Sequence, residues 1–226
     1  MSSSPALAWL ALLLLVALYA AYVLYQRATF QADVVCLGDS LTASGGVGGR
    51  YTDFLAESLP GVRIVNQGQG GRTLADGRAR FERHVLLLRP KVVVIELGAN
   101  DFHRAQRPVE ALRDDLEYMV REATRRGIGV VIAGVFGPQL DEEGQTVPKK
   151  YPQGKPEFGQ ALFDMERDIA QRYGCRHIEN IQARLTSSAH WTDGRHPSPA
   201  GNRLVAEELL PHVTELLDIP LMQKEP

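Results

Sequence analysis

The sequence predicts an α/β domain built on one doubly wound, mostly five-stranded parallel sheet, preceded by an apolar N-terminal helix. Two observations carry the domain prediction. After residue 31, apolar strand-like runs alternate with longer helical ones, the pattern of a parallel sheet covered by helices. Within it, Val92 to Ile95 is apolar without alternation, as expected of a strand buried on both faces. A third observation bounds the architecture: 226 residues, 44% of them hydrophobic, suffice for one well-buried domain with a short appendage and not for a second full domain.

The appendage comes first. Ala6 to Tyr25 carries no charged residue, and its length matches the roughly 20 residues a helix needs to cross the hydrocarbon core. Trp9 near one end and Tyr22 and Tyr25 near the other fit the interfacial preference of aromatic rings. A cleaved signal peptide is the competing reading, but it typically has a basic n-region and a shorter apolar stretch. No Lys or Arg precedes this run. The expectation is a transmembrane anchor over 6–25, a linker over 26–31 and the folded domain over 32–220. Orientation is weakly specified, since the nearby basic groups are the terminal amine and Arg27, and the extracytoplasmic side is favoured for the domain.

Strands are expected at Val34 to Leu37, Arg63 to Asn66, Val92 to Leu97, Gly129 to Ala133 and Arg176 to Ile178. Helices are expected at Tyr51 to Ser58, Thr73 to Leu88, Val109 to Arg126, Phe158 to Tyr173 and Pro199 to Leu217. Pro60 with Gly61, Pro90, Gly127 and Gly174 supply stop signals after the first four. Gly137 to Pro156, rich in Gly and Pro, interrupts the rhythm and reads as an irregular loop, either functional or merely a tolerated insertion.

Lys and Arg total 25 against 27 Asp and Glu, a net charge of -2, so no broad attraction for a phosphate backbone exists and nucleic acid is not an expected partner. Cys36 and Cys175 lack the paired spacing of a structural zinc site; one disulfide between them and two free thiols are both compatible with the sequence. The glycine clusters fit neither the dinucleotide nor the P-loop pattern, because Gly154-Lys155 is followed by Pro156.

Chemistry concentrates in segments that follow strands. Gly38-Asp39-Ser40-Leu41-Thr42 puts a serine at a strand-to-helix turn, although alone it reads equally as a turn capped by Asp39 or Ser40. Serine is a weak nucleophile without a base and a site for the oxyanion. In Trp191 to Pro197, Asp193 and His196 stand three residues apart around Gly194, so the carboxylate is able to hold one imidazole nitrogen while the other faces outward. His84, His177, His190 and His212 fit that role less well, and His103 reads as an exposed loop residue rather than a pocket residue. Asn66 to Thr73 offers glycines that let backbone N–H groups approach a ligand, and Gly98 to Asp101 offers the Asn100 amide as a neutral donor.

These four segments, in this order, resemble the four blocks of the SGNH or GDSL hydrolase superfamily: Gly38 to Thr42, Asn66 to Thr73, Gly98 to Asp101, and Asp193 to His196. Each motif is weak alone; the ordered set, spanning about Asp33 to Leu217, is specific. Val35 to Thr42 and Ile95 to Asp101 are similar to the bacterial arylesterase, thioesterase and lysophospholipase branch, while Gln69 stands where a Ser commonly precedes the functional glycine. The resemblance implies a three-layer α/β/α flavodoxin-like fold and no metal or organic cofactor. It implies Ser40 as nucleophile, His196 as base, Asp193 as its orienting group, and an oxyanion hole from the Ser40 and Gly71 backbone N–H groups with the Asn100 side chain. The expected function is a membrane-anchored serine esterase acting on carboxylic ester or thioester bonds, with a small-molecule ester or lipid as substrate. A carbohydrate or cell-wall O-acetyl esterase and an inactive membrane-anchored binding module are the alternatives.

Overall fold

The computed structural model describes residues 9, 12–22, 32–104, 106–141, 143–148 and 155–219. The chain divides into two units, Met1–Gln31 and Ala32–Pro226. In the first, residues 12–22 are helical, and Leu12 to Leu15, Val16, Leu18, Tyr19 and Tyr22 are exposed. Among the described residues no helix is long and apolar enough to cross a membrane. The remainder of the expected 6–25 anchor and the whole 26–31 linker lie outside the described residues.

The second unit is built on a five-stranded sheet of β1 (Val34–Gly38), β2 (Ile64–Gly68), β3 (Val92–Glu96), β4 (Gly129–Ala133) and β7 (Arg176–Ile178), in the order β2-β1-β3-β4-β7. Every pairing in it is parallel. Each expected strand is present to within two residues. Every residue of β1 and β3 is buried, because helices cover both faces. Each fully buried Val or Ile there contributes roughly 1.5–3 kcal/mol through apolar area removed from water. The order reverses at β1, which places a crevice at the carboxyl ends of β1 and β3, where doubly wound folds bind ligands.

The principal helices are α2 (Tyr51–Ser58), α3 (Leu74–His84), α5 (Val109–Thr124), α6 (Pro156–Tyr173) and α7 (Pro199–Leu217). The helix expected over Thr73 to Leu88 ends at His84, and a 3₁₀ turn over Leu86–Leu88 follows. Two short helices lie outside the five expected ranges, α1 (Ser40–Ala43) at the strand-to-helix turn and the unexpected α4 (Ala99–Arg104), and each starts at the carboxyl end of a central strand.

The Gly137 to Pro156 stretch is not wholly irregular. β5 (Gln139–Leu140) and β6 (Thr146–Val147) pair antiparallel within it. Asp141 closes the turn, its Oδ1 accepting the Gln145 N–H at 2.7 Å while its own N–H reaches the Gln145 carbonyl at 3.0 Å. A local carboxylate thus supplies the hydrogen bonds a glycine-rich loop would otherwise leave to water. Cys36 and Cys175 are both free thiols, so the disulfide alternative falls.

Candidate active site

Gly38 ends β1 with its neighbours pressed against it: a methyl group there would collide with Thr42 Oγ1 and come within 2.8 Å of Glu96 Oε2. The chain then turns into α1, and the cap is Asp39, whose Oδ1 accepts the Leu41 N–H at 2.9 Å. Ser40 is left as the first helical residue, free of a capping role. Arg80 in α3 holds the turn from below, its guanidinium donating to the Gly38 carbonyl at 2.6 Å and the Gln67 carbonyl at 2.9 Å. One side chain therefore ties together the carboxyl ends of β1 and β2.

Gly71, in the loop after β2, has φ 75°, the left-handed region that a side chain disfavours. The Arg104 guanidinium donates to the Gly71 carbonyl at 2.7 Å, which anchors this loop to α4. Asn100, in the first turn of α4, has both amide hydrogens engaged: Nδ2 donates to Asp39 Oδ2 at 2.7 Å and to the Arg72 carbonyl at 3.0 Å.

His196 comes from a closed loop. The Thr192 N–H bonds the His196 carbonyl at 2.9 Å, and Trp191 bridges to Pro197. Inside this loop Asp193 Oδ1 accepts the Arg195 and His196 backbone N–H groups at 3.0 and 2.9 Å, while Oδ2 lies 2.8 Å from His196 Nδ1. The imidazole hydrogen bond first, then the two backbone donors, hold the Asp193 carboxyl well below the usual carboxylate range. With Nδ1 donating to Asp193, Nε2 is left as the acceptor, the tautomer a general base requires. Asn202 in α7 ties this loop's helix to the nucleophile side, donating to the Ser44 carbonyl at 3.2 Å and the Gly49 carbonyl at 2.9 Å.

Ser40, Gly71, Asn100 and His196 line one cavity of about 630 Å³, walled by Leu41, Phe102, Val135, Phe136 and Trp191. Asp193 stands behind His196. His103 is exposed as expected, but it lies on α4 rather than a loop and also lines the cavity, because the chain re-enters a helix directly after β3. The other histidines are held elsewhere: His84 Nδ1 against Gln67 Oε1 at 2.6 Å, and His177 Nε2 against the buried Glu166 at 3.4 Å.

Sequence reasoning missed Arg80, Arg104 and Glu96. Arg80 and Arg104 left no signal, since surface-like arginines on helices are common. Glu96 did leave one, as a carboxyl at the end of an otherwise apolar buried strand.

Fold and site together define an α/β protein of flavodoxin-like strand order with a serine, an amide and an aspartate-held histidine at its β1/β3 crevice. The model of the GDSL-like Lipase/Acylhydrolase family matches residues 36–204. The chain belongs to that family and is a carboxylic ester hydrolase. It is 28% identical to the esterase TesA of Pseudomonas aeruginosa, over 91% of this chain and 98% of that protein. It is 25% identical to the uncharacterized lipoprotein YqeF of Bacillus subtilis, over 77% of this chain and 86% of that one. The crystal structure of TesA superposes with a TM-score of 0.67 at 25% identity, covering 81% of this chain and 98% of that one.

Proposed function

We propose that Ser40 attacks the acyl carbonyl of an ester or thioester while His196 Nε2 takes its proton, Asp193 holding the imidazole in register. The acyl-enzyme then forms through a tetrahedral intermediate, and water deacylates it with His196 again as base. The oxyanion is received by the Ser40 and Gly71 backbone N–H groups and the Asn100 amide. The observation that carries this reading is the convergence of Ser40, Gly71, Asn100 and the Asp193-held His196 on one apolar-walled cavity. The bond to the Arg72 carbonyl, at 3.0 Å the longer of Asn100's two, is the one an oxyanion displaces. Asn100→Ala is expected to lower kcat about 10² to 10³ fold with KM nearly unchanged, because the donor acts on charge that develops only in the transition state. Initial-rate kinetics on p-nitrophenyl acyl esters measure it, and a kcat within twofold of wild type would remove Asn100 from the hole.

The substrate reading is a lipid ester at a membrane surface, with a lysophospholipid as its representative. Its supports are the uncharged Ala6 to Tyr25 run, the exposed apolar surface of helix 12–22, and the relation to a lipoprotein. The apolar cavity wall accommodates an acyl chain, while Arg195 on the lining and Arg104 against Gly71 put positive charge beside a phosphate-bearing leaving group. At equal acyl length, hydrolysis of a lysophospholipid is expected to exceed that of a neutral monoacylglycerol, and long chains to exceed acetyl. Release of acetate from acetylated glycans without activity on longer chains would support the O-acetyl esterase reading in its place. A fluorophosphonate probe that failed to label Ser40 would support the inactive binding module.

A further inference from the structure

Two carboxyl groups lie together under the nucleophile turn, and the triad chemistry uses neither. The parallel register of β1 and β3 sets Glu96 opposite Gly38, one residue before Asp39. Both side chains are buried, at 1% exposure each, and the Asp39 carboxyl is within hydrogen-bonding reach of Glu96. Among the described residues neither forms an ion pair with a basic side chain. Two adjacent buried carboxylates without a counter-cation are too costly to coexist, so one proton stays between them.

Position decides where that proton sits: Asp39 borders the cavity, while Glu96 lies behind it among buried strands. Asp39 receives an N–H on each oxygen, from Leu41 on Oδ1 at 2.9 Å and from Asn100 on Oδ2 at 2.7 Å, which stabilises it ionised. Glu96 Oε2 accepts the Thr42 hydroxyl at 2.9 Å, its carboxyl also meets the Asp39 and Thr42 backbone N–H groups, and Thr42 Oγ1 in turn lies 3.1 Å from Tyr51 Oη. The hydrogen bonds then run in one direction, from Tyr51 through Thr42 to Glu96 and on to Asp39, where those from Asn100 and Leu41 also end.

We infer that Glu96 keeps its proton at neutral pH and donates it to ionised Asp39, so that the pair acts as one singly charged unit positioning the Asn100 amide and the turn that carries Ser40. The inference deepens the proposed mechanism and rests on it for the role of Asn100. Asp39 and Glu96 are positioning residues, since they act through Asn100 and the cap of α1.

Burial, followed by the adjacent Asp39 charge, pushes the Glu96 carboxyl well above its ordinary range, while burial pushes Asp39 up to about 6. The other titratable groups facing the pair are Cys36 on β1, pushed up to about 12, Tyr51 on α2, also raised, Arg80 on α3, and His196 across the cavity. A raised carboxyl binds a proton in the folded protein that the unfolded chain releases, so its stabilising contribution is complete below the ordinary carboxylate range. It is lost as pH rises through the folded value. Ionising Glu96 puts a second negative charge beside Asp39, and the Asn100 and Ser40 positions give way together.

The test uses the full chain. Infrared absorption at neutral pH is expected to show a protonated-carboxyl C=O band in wild type that is missing from E96Q. The kcat profile on a p-nitrophenyl ester should fall at alkaline pH in wild type and lack that limb in E96Q. An apolar substitution, E96L, should lower kcat about 10²-fold with little change in KM, as expected of a misplaced donor, and E96Q should restore most of that loss. Identical infrared spectra for wild type and E96Q overturn the proposal, as does an E96Q profile that keeps the alkaline limb. Should E96L not fold, the comparison of wild type with E96Q still decides. Failure of the pairing is distinct from failure of the mechanism: the first removes the band and leaves fluorophosphonate labelling of Ser40 intact, and the second does the reverse.

Discussion

Ser40→Ala is expected to lower kcat on p-nitrophenyl acyl esters by about 10⁶-fold, to the residual rate that binding and oxyanion donors sustain without a nucleophile. The magnitude follows from the arrangement. The serine stands at the head of α1 with its capping duty transferred to Asp39, so its loss leaves the turn, the cap and the cavity lining in place. Stability should therefore change little, and thermal melting should superpose on wild type. Substrate binding should survive as well, because Leu41, Phe102, Val135, Phe136 and Trp191 still form the acyl wall. A variant that kept more than about one hundredth of wild-type kcat would assign the nucleophile elsewhere, since a true nucleophile is not replaced by water that cheaply.

Asp193→Asn should cost about 10⁴-fold in kcat, nearly all of it through the tautomer of His196. The amide preserves shape, and its oxygen still accepts the Arg195 and His196 backbone N–H groups, so the loop from Trp191 to Pro197 stays closed. What changes is the group facing Nδ1: an NH₂ there requires an unprotonated Nδ1, which places the proton on Nε2 and leaves no base facing Ser40. The carboxyl in wild type is held well below the usual range, so it remains ionised through the acidic limb of activity. Its side chain is 53% exposed, so any loss of stability should be slight, and the variant should melt close to wild type. Stopped-flow kinetics across pH would settle the point. A D193N enzyme within tenfold of wild type at every pH would mean that water orients His196 unaided.

Both residues stand out as candidates without coordinates because the features that mark them are local. Asp193 and His196 are three positions apart with a glycine between them, and one tight loop is enough to make the pair. Ser40, Gly71 and Asn100 each follow a strand whose apolar run is plain in the sequence, and a parallel sheet brings the carboxyl ends of its strands together whatever their separation along the chain. The stretch from Gly137 to Pro156 was less legible. Its glycines and prolines spoke for a loop, and the short β5–β6 ladder depends on one aspartate finding two backbone partners.

The sequence by itself therefore determined the class of fold, the five strands, and the order of the four segments that converge on the cavity. Periodicity, turn residues and strand ends are written over a few neighbouring positions. Only the tertiary structure decided what stands behind those segments: Asp39 as the cap that frees Ser40, Arg80 joining the ends of β1 and β2, His103 on the cavity wall, and Glu96 beside Asp39. Each depends on lateral register or helix packing between residues far apart in the chain. A glutamate at the end of an apolar strand looks the same in sequence whether a lysine or the Asp39 carboxyl comes to lie beside it.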